Sequence, residues 1–278
     1  MNEARNWLIT GASSGLGLAL ARTVHAAGEG VAATVRNADD AHRLETALPG
    51  LVALIGDLSD PTTAAALVSQ AQERLGTVDI LVNNAGRGFA AAIEEASDAE
   101  VLQIFDLNVF APVRMIRAVL PAMRARRSGL VINITSISGF KPWSGTGFYC
   151  ATKFAMEGIG QTLAQEVAGF GIRVINVQPG ALRTDFNGRS LSASEQVIPD
   201  YDASAHIARR ALSKADGKQD GDPVRAAEVI MAASRLESPP MNLLLGRDAL
   251  SMCGERLARI TRDMADWAPS AASIAFPE

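Results

Sequence analysis

Short apolar runs alternate with longer amphipathic stretches along nearly the whole chain. The runs fall at 7–9 (Trp-Leu-Ile), 31–35 (Val-Ala-Ala-Thr-Val), 51–55 (Leu-Val-Ala-Leu-Ile), 79–82 (Asp-Ile-Leu-Val), 130–134 (Leu-Val-Ile-Asn-Ile), 173–177 (Arg-Val-Ile-Asn-Val) and 243–245 (Leu-Leu-Leu). Their near-continuous apolarity is that of parallel strands covered on both faces. Helical patterns occupy the stretches between them, including 16–27, 61–75, 98–126, 149–169 and 223–236. This alternation predicts the α/β class: a doubly wound, mainly parallel seven-stranded sheet with helices on both faces. No internal repeat, linker or low-complexity tract interrupts it, so one domain is expected over 1–278.

The rhythm breaks twice. Residues 184–222 form a long polar connection between the sixth and seventh strands, with Gly188, Pro199, Gly217 and Gly221. Insertions of that length in a compact domain are commonly lids or binding loops, and a substrate loop is expected here. Residues 249–267 have the pattern of an amphipathic helix, followed by a tail bearing Pro, Ala and Ser up to residue 278. Such a helix could cap a substrate pocket or meet a partner subunit.

Composition narrows the partners. With 278 residues, 48% of them hydrophobic, the chain can bury the core of a full α/β domain. A formal net charge of −4 offers no basic excess to nucleic acid. No apolar run reaches the roughly 20 residues that span a bilayer, and the polar start (Asn2, Glu3, Arg5, Asn6) lacks a secretory leader's apolar stretch. Cys150 and Cys253 suit a reducing compartment, so a cytoplasmic location is expected. His25, His42 and His206 are scattered, which argues against a metal site.

Two stretches carry candidate chemistry. Tyr149 and Lys153 are four apart at the start of a helical pattern, in a chain with only two tyrosines. Residues i and i+4 share a helix face, so phenol and ammonium can point into one site. A nearby positive charge favours the phenolate and lowers a pKa of about 10 toward the working range of a general acid/base. Near the N-terminus, Trp7-Leu8-Ile9-Thr10-Gly11-Ala12-Ser13-Ser14-Gly15-Leu16-Gly17 reads as strand, glycine-rich turn and helix start. Three glycines let the backbone approach a pyrophosphate, and a helix N-terminus attracts negative charge. The spacing is Gly-x-x-x-Gly-x-Gly rather than the common Gly-x-Gly-x-x-Gly.

Further polar groups gather at the same carboxyl edge of the sheet. Asn83-Asn84-Ala85-Gly86 ends the fourth strand, Ile134-Thr135-Ser136-Ile137-Ser138-Gly139 ends the fifth, and Pro179-Gly180 follows the sixth, with Thr184 beyond. Open α/β sheets bind ligands at that edge. Taken in order, these motifs resemble the short-chain dehydrogenase/reductase family in its compact, Rossmann-like single-domain branch. The resemblance is strong over 7–186 and fades in the C-terminal third.

The resemblance implies four catalytic positions. Tyr149 would be the general acid/base on the substrate oxygen, and Lys153 would lower its pKa and bond the nicotinamide ribose. Ser136 would hold the substrate oxygen together with Tyr149, and Asn108 would anchor a water relay to Lys153. It implies a nicotinamide dinucleotide held by Gly11, Ser13, Ser14, Gly15, Leu16, Gly17, Arg36, Asp57, Leu58, Asn84, Ala85, Gly86, Tyr149, Lys153, Pro179, Gly180 and Thr184. Asp57 resembles the position that reaches the adenine amino group. The implied reaction interconverts a small-molecule carbonyl and a secondary alcohol, in a homodimer or homotetramer. A noncatalytic nucleotide sensor on the same fold is the alternative, and retention of all four catalytic positions argues against it.

The end of the second strand bears on the cofactor. A carboxylate there bonds the ribose 2′-hydroxyl of NAD, whereas an arginine accommodates a 2′-phosphate. Here Val35 stands at the acidic position and Arg36 follows, so NADP(H) is favoured, with NAD(H) possible. Cys150 faces about 100° away from Tyr149 on a helix and reads as a buried thiol. Phe140, Trp143, Phe148 and Phe186 could line a pocket or simply pack.

Overall fold

The computed structural model describes residues 4–276; Asn2, Glu3 and the last two residues of the tail lie outside the described residues. The strands are β1 (Asn6–Ile9), β2 (Gly30–Val35), β3 (Val52–Ile55), β4 (Ile80–Asn83), β5 (Gly88–Ala90), β6 (Gly129–Ile134), β7 (Ile172–Pro179), β8 (Leu191–Ala193) and β9 (Asn242–Leu245). Seven of them form one sheet in the order β3-β2-β1-β4-β6-β7-β9, with every pairing parallel. The helices are α1 (Gly15–Ala26), α2 (Ala38–Ala47), α3 (Thr63–Leu75), α4 (Asp98–Phe105), α5 (Ala111–Arg126), α6 (Gly147–Val167), α7 (Ala205–Ala215), α8 (Pro223–Ser234) and α9 (Arg247–Ala272).

Alternate strand residues feed two cores. Trp7, Ile9, Val31, Ala33 and Val35 pack with Leu20 and Val24 of α1 and Ala227 and Ile230 of α8. Their neighbours Leu8, Ala32, Leu54, Leu81 and Val131 pack on the other face with Leu67 of α3, Met115 and Val119 of α5 and Leu163 of α6. Period-two side-chain alternation therefore buries both faces of every central strand. The strand order reverses between β1 and β4, and the crevice outside their carboxyl ends is where such sheets bind ligands.

Two stretches differ from the sequence pattern. The helical run over 98–126 is divided by a π-helical turn at Asp106–Phe110, whose extra residue per turn re-aims Asn108 into the protein. The 184–222 connection is not loop throughout but carries a strand and a helix. Within it β8 pairs in parallel with β5 (Gly88↔Leu191, Ala90↔Ala193), and α7 follows a short turn at Pro199–Tyr201.

An ionic clasp, buried on its Glu95 side, ties that segment to the body. His206 on α7 sets Nε2 2.7 Å from Glu95 Oε1 and Nδ1 2.8 Å from Asp202 Oδ1. Facing a carboxylate on each side, both ring nitrogens can donate, which favours the imidazolium form. The bonds to Asp202 and Glu95 hold its pKa above the ordinary imidazole value. Burial pushes the Glu95 carboxyl up, but N–H donors from Ile198 and Ala92 and the His206 ring outweigh it and leave it lowered. Arg210 also faces Asp202.

A group raised on folding stabilises the fold below its unfolded pKa of about 6.5 and loses that contribution as pH rises through the folded value. Amide-exchange protection of 199–215 should therefore be greatest in mild acid and decline above neutrality, after correction for intrinsic rates. His206→Ala should flatten that profile. A wild-type profile already flat from pH 6 to 9 contradicts the clasp.

Candidate active site

A cleft of about 1290 Å³ opens at the carboxyl ends of β1, β4, β6 and β7. That exceeds the roughly 300–1,000 Å³ of an ordinary small-molecule pocket and leaves room for a dinucleotide beside a second molecule. The turn after β1 forms one wall. Gly11 sits at φ +67° and Gly15 at φ +59°, the left-handed region that favours glycine. A Cβ on Gly11 would lie 2.9 Å from Ala85 Cα, and one on Gly17 would lie 2.5 Å from the Gly11 carbonyl oxygen. The Ser14 side chain makes no capping bond to α1, so the first-turn N–H groups remain available to an anion.

Asn84 ties this turn to β4. Its Nδ2 donates to the carbonyls of Thr10 (2.9 Å) and Gly11 (3.0 Å). The Thr10 hydroxyl accepts from the N–H groups of Asn84 (2.9 Å) and Ala85 (3.0 Å). Further along, Thr34, Val35 and Arg36 line the cleft together with Asp57 and Leu58. Asp57 Oδ1 accepts from the Ser59 N–H (3.0 Å) and hydroxyl (2.7 Å), and these bonds, reinforced by the charge of Arg36, lower its pKa. The residues present fit a dinucleotide: a glycine cradle, free helix-end amides, and a cation at the end of β2.

Ser136, Tyr149 and Lys153 meet where α6 begins, beside Gly86, Pro179, Gly180 and Thr184. Ser136 Oγ accepts from the Ser138 N–H (3.0 Å) and lies near enough to the Tyr149 phenol to draw its pKa down. Lys153 Nζ donates to the Ile134 carbonyl (3.0 Å) and lies 5.8 Å from the centre of the Tyr149 ring. Burial pushes the phenol up to about 12, against the pull of Ser136. Burial also brings Lys153 down to about 8, against the opposing pull of the Glu157 carboxylate. Here enclosure outweighs the depression of the tyrosine pKa expected from Lys153, whose ammonium is turned to a carbonyl.

Most residues expected at the site line the cleft, but Gly17 and Asn108 lie behind its wall. Gly17 allows the close approach of Asn84. Asn108, buried at the π-turn, accepts from the Arg87 N–H (3.0 Å) and donates to the Arg87 carbonyl (2.9 Å) and the Thr152 hydroxyl (3.2 Å). Its side chain pins the strand-end loop against α6. Trp143 and Phe186 line the cleft and Phe140 and Phe148 do not; the Tyr149 and Phe186 rings stand 5.9 Å apart. Cys150 is buried.

The sequence reading missed what lies beneath the site. Asn83, Asn133 and Asn176 occupy paired positions on β4, β6 and β7. Asn83 donates to Asn133 (3.0 Å), Asn133 to Asn176 (3.0 Å), and Asn176 to the Glu157 carboxylate (2.9 Å). An asparagine within two apolar runs and just after a third was the available signal. Also missed were Leu212 of α7 and Met252 of α9, which close the apolar end of the cleft, and Asp248, whose carboxylate accepts from the Ala181 N–H at 2.7 Å.

Comparison with known proteins identifies the family and its fold. The short chain dehydrogenase family model matches residues 5–195. The 3-ketodihydrosphingosine reductase of Bacteroides thetaiotaomicron is 34% identical over 240 residues, covering 86% of this chain and 87% of that protein. The crystal structure of a short-chain dehydrogenase from Streptomyces avermitilis superposes with a TM-score of 0.92 at 38% identity, covering 99% of this chain and 100% of that one. An alcohol dehydrogenase from the archaeon Thermococcus sibiricus, complexed with 5-hydroxy-NADP, superposes at 0.71 with 26% identity, covering 87% of this chain and 96% of that one. The chain belongs to the short-chain dehydrogenase/reductase family, enzymes that act on CH–OH and C=O groups with NAD(P).

Proposed function

We propose that this protein is an NADP(H)-dependent oxidoreductase that interconverts a carbonyl and a secondary alcohol, with Tyr149 as general acid/base. The observation that carries the reading is that Ser136 and Tyr149 line the same cleft beside buried Lys153, whose Nζ lies 5.8 Å from the Tyr149 ring centre. When bound, the cofactor supplies hydride donation or acceptance. Gly11, Ser13, Ser14, Gly15 and Leu16 would hold its pyrophosphate half, Arg36 a 2′-phosphate, and Asp57 and Leu58 the adenine end. Asn84, Ala85, Gly86, Pro179, Gly180 and Thr184 would hold the nicotinamide half with Tyr149 and Lys153.

In the reducing direction the substrate oxygen sits between the Ser136 and Tyr149 hydroxyls. Tyr149 gives it a proton, and the Lys153 charge stabilises the phenolate that forms. In the oxidising direction Tyr149 takes the proton back. Residues 184–222 serve as the substrate segment, and the apolar wall of Phe186, Trp143, Leu212 and Met252 favours a hydrophobic carbonyl compound.

Three outcomes test this reading. Tyr149→Phe keeps the ring and loses the proton donor, so kcat should fall by about 10²–10⁴ with cofactor binding retained. Near-normal turnover in the folded variant overturns the assignment. The second is a pH profile. Lys153 loses its proton near pH 8, whereas Tyr149 keeps its own to about 12. Carbonyl reduction should therefore decline above about pH 8, and Glu157→Gln, by removing the charge that favours the ammonium, should move that limb to lower pH. A limb unmoved by the substitution contradicts this electrostatic account.

The third concerns Arg36. Loss of a charge-assisted phosphate contact in Arg36→Ala should weaken NADPH binding by roughly ten- to a hundredfold and leave NADH nearly unaffected. Dissociation constants for the two cofactors at matched ionic strength read this out. A wild type that already prefers NADH refutes the selectivity.

A further inference from the structure

Among the described residues, five side chains carry a buried nitrogen or oxygen with no hydrogen-bond partner. Four of them are held by another bond: Asn83 to Asn133, Glu157 to Asn176, Arg87 to Gln103 and Arg114 to Asp106. The fifth is Gln219. Its Oε1 is closed off without a partner, and its side chain makes no hydrogen bond to any described residue. Gln219 is 5% exposed, so water does not serve it. Gln178, equally buried, donates from its Nε2 to Asn242 at 3.0 Å. An amide left bare in this way is costly, and native interiors rarely keep one without a use.

Its surroundings show where that use lies. Gln219 lines the cleft with Ala208, Ala211, Leu212 and Ala215 of α7. Those four recur at helical spacing, so α7 turns one apolar and mostly small face to the cavity. Gln219, four residues past Ala215, is the one hydrogen-bonding side chain of this wall. Its backbone is fixed in place. The Gln219 carbonyl accepts from Arg183 Nε (2.8 Å), the Arg183 N–H donates to the Gly221 carbonyl (2.8 Å), and the Gly221 N–H donates to the Ala181 carbonyl (3.1 Å). These bonds stitch the Gln219 loop to the segment after β7, which also borders the cleft.

We propose that Gln219 is a specificity-determining residue of the substrate half, and that it takes a hydroxyl group borne on the substrate's apolar frame, apart from the reacting carbonyl. This role rests on the carbonyl–alcohol reading of the cleft and narrows the substrate class to hydroxylated apolar carbonyl compounds. A few polar groups on an apolar lining are what orient a small molecule and set its specificity. The amide offers an acceptor and donors without charge. A carboxylate or ammonium would meet no counter-charge on this wall, and burying an unpaired charge is heavily penalised. A ketone or ether oxygen only accepts, and would leave Oε1 bare. A hydroxyl both donates and accepts, so it satisfies the amide in either orientation about its last torsion.

The test reads binding, apart from turnover. Enzyme saturated with NADP⁺ or NAD⁺ cannot reduce a ketone, so calorimetry can measure dissociation constants for decanone, decalone and the monohydroxylated derivatives of each. In wild type at least one hydroxylated derivative should bind about tenfold more tightly than its parent. Gln219→Met keeps the length of the side chain and removes both hydrogen-bonding atoms, so parent and derivative should then bind alike. The variant's Tm should equal or exceed that of wild type, because the bare oxygen is gone. Four results overturn the proposal: no hydroxylated derivative gains on its parent, the gain survives Gln219→Met, the variant weakens NADPH instead of the hydroxylated ketone, or its Tm falls, which marks a packing role. Absence of NADPH-dependent reduction across all ketones overturns the broader carbonyl–alcohol reading, and is seen in a separate measurement.

Discussion

The site rests on three amides buried in the middle of the sheet. A buried amide without a partner costs about 1–3 kcal/mol, so Asn83, Asn133 and Asn176 are stable there only as a connected row. The row exists in one register. Sliding β6 by a residue would set the Asn133 side chain on the opposite face and break both of its bonds. That register also builds the cleft: Asn84 follows Asn83 directly, and Ser136 and Pro179 each stand three residues beyond their own asparagine. The row ends on Glu157, one helical turn past Lys153 on α6, so strand pairing and active-site electrostatics share a connection.

Enclosure then separates the two titrating groups. Tyr149 moves from 10.0 to about 12 and Lys153 from 10.5 to about 8. Both shifts arise because a low-polarity surrounding penalises whichever form is charged. They leave a neutral phenol beside a cation that gives up its proton first. Groups driven apart in this way have distinguishable roles, one supplying a proton and the other supplying charge. Glu157 and Ser136 oppose the two shifts, so the polar shell moderates what burial imposes.

How much could be read beforehand depends on how local the determinant is. The parallel strands were legible because burial on both faces leaves an unbroken apolar run. The Gly11–Gly17 turn was legible because backbone approach needs glycine, and Tyr149 and Lys153 because helix geometry brings i and i+4 together. Asn108 was picked out, but not its burial behind the wall, which depends on a π-turn with no plain residue signature. The fold of 184–222 escaped because α7 and β8 are held by distant partners, Glu95 and β5, rather than by their own propensity. Glu157 and the strand asparagines escaped for the same reason: each looks like an isolated polar residue until the sheet register is known.

The two ends of the cleft are therefore built on different principles. Its dinucleotide half is made from strand-end turns locked by Asn84 and Thr10, a rigid surface for a ligand whose shape does not vary. Its apolar half is formed by elements added at the sheet's edge: α7, held by the His206 clasp, and the start of α9, held by Asp248. Met252 on α9 faces the cleft while Leu250, two residues earlier, faces solvent. One stiff helix thus presents a wall to the substrate region and an apolar row to the outside.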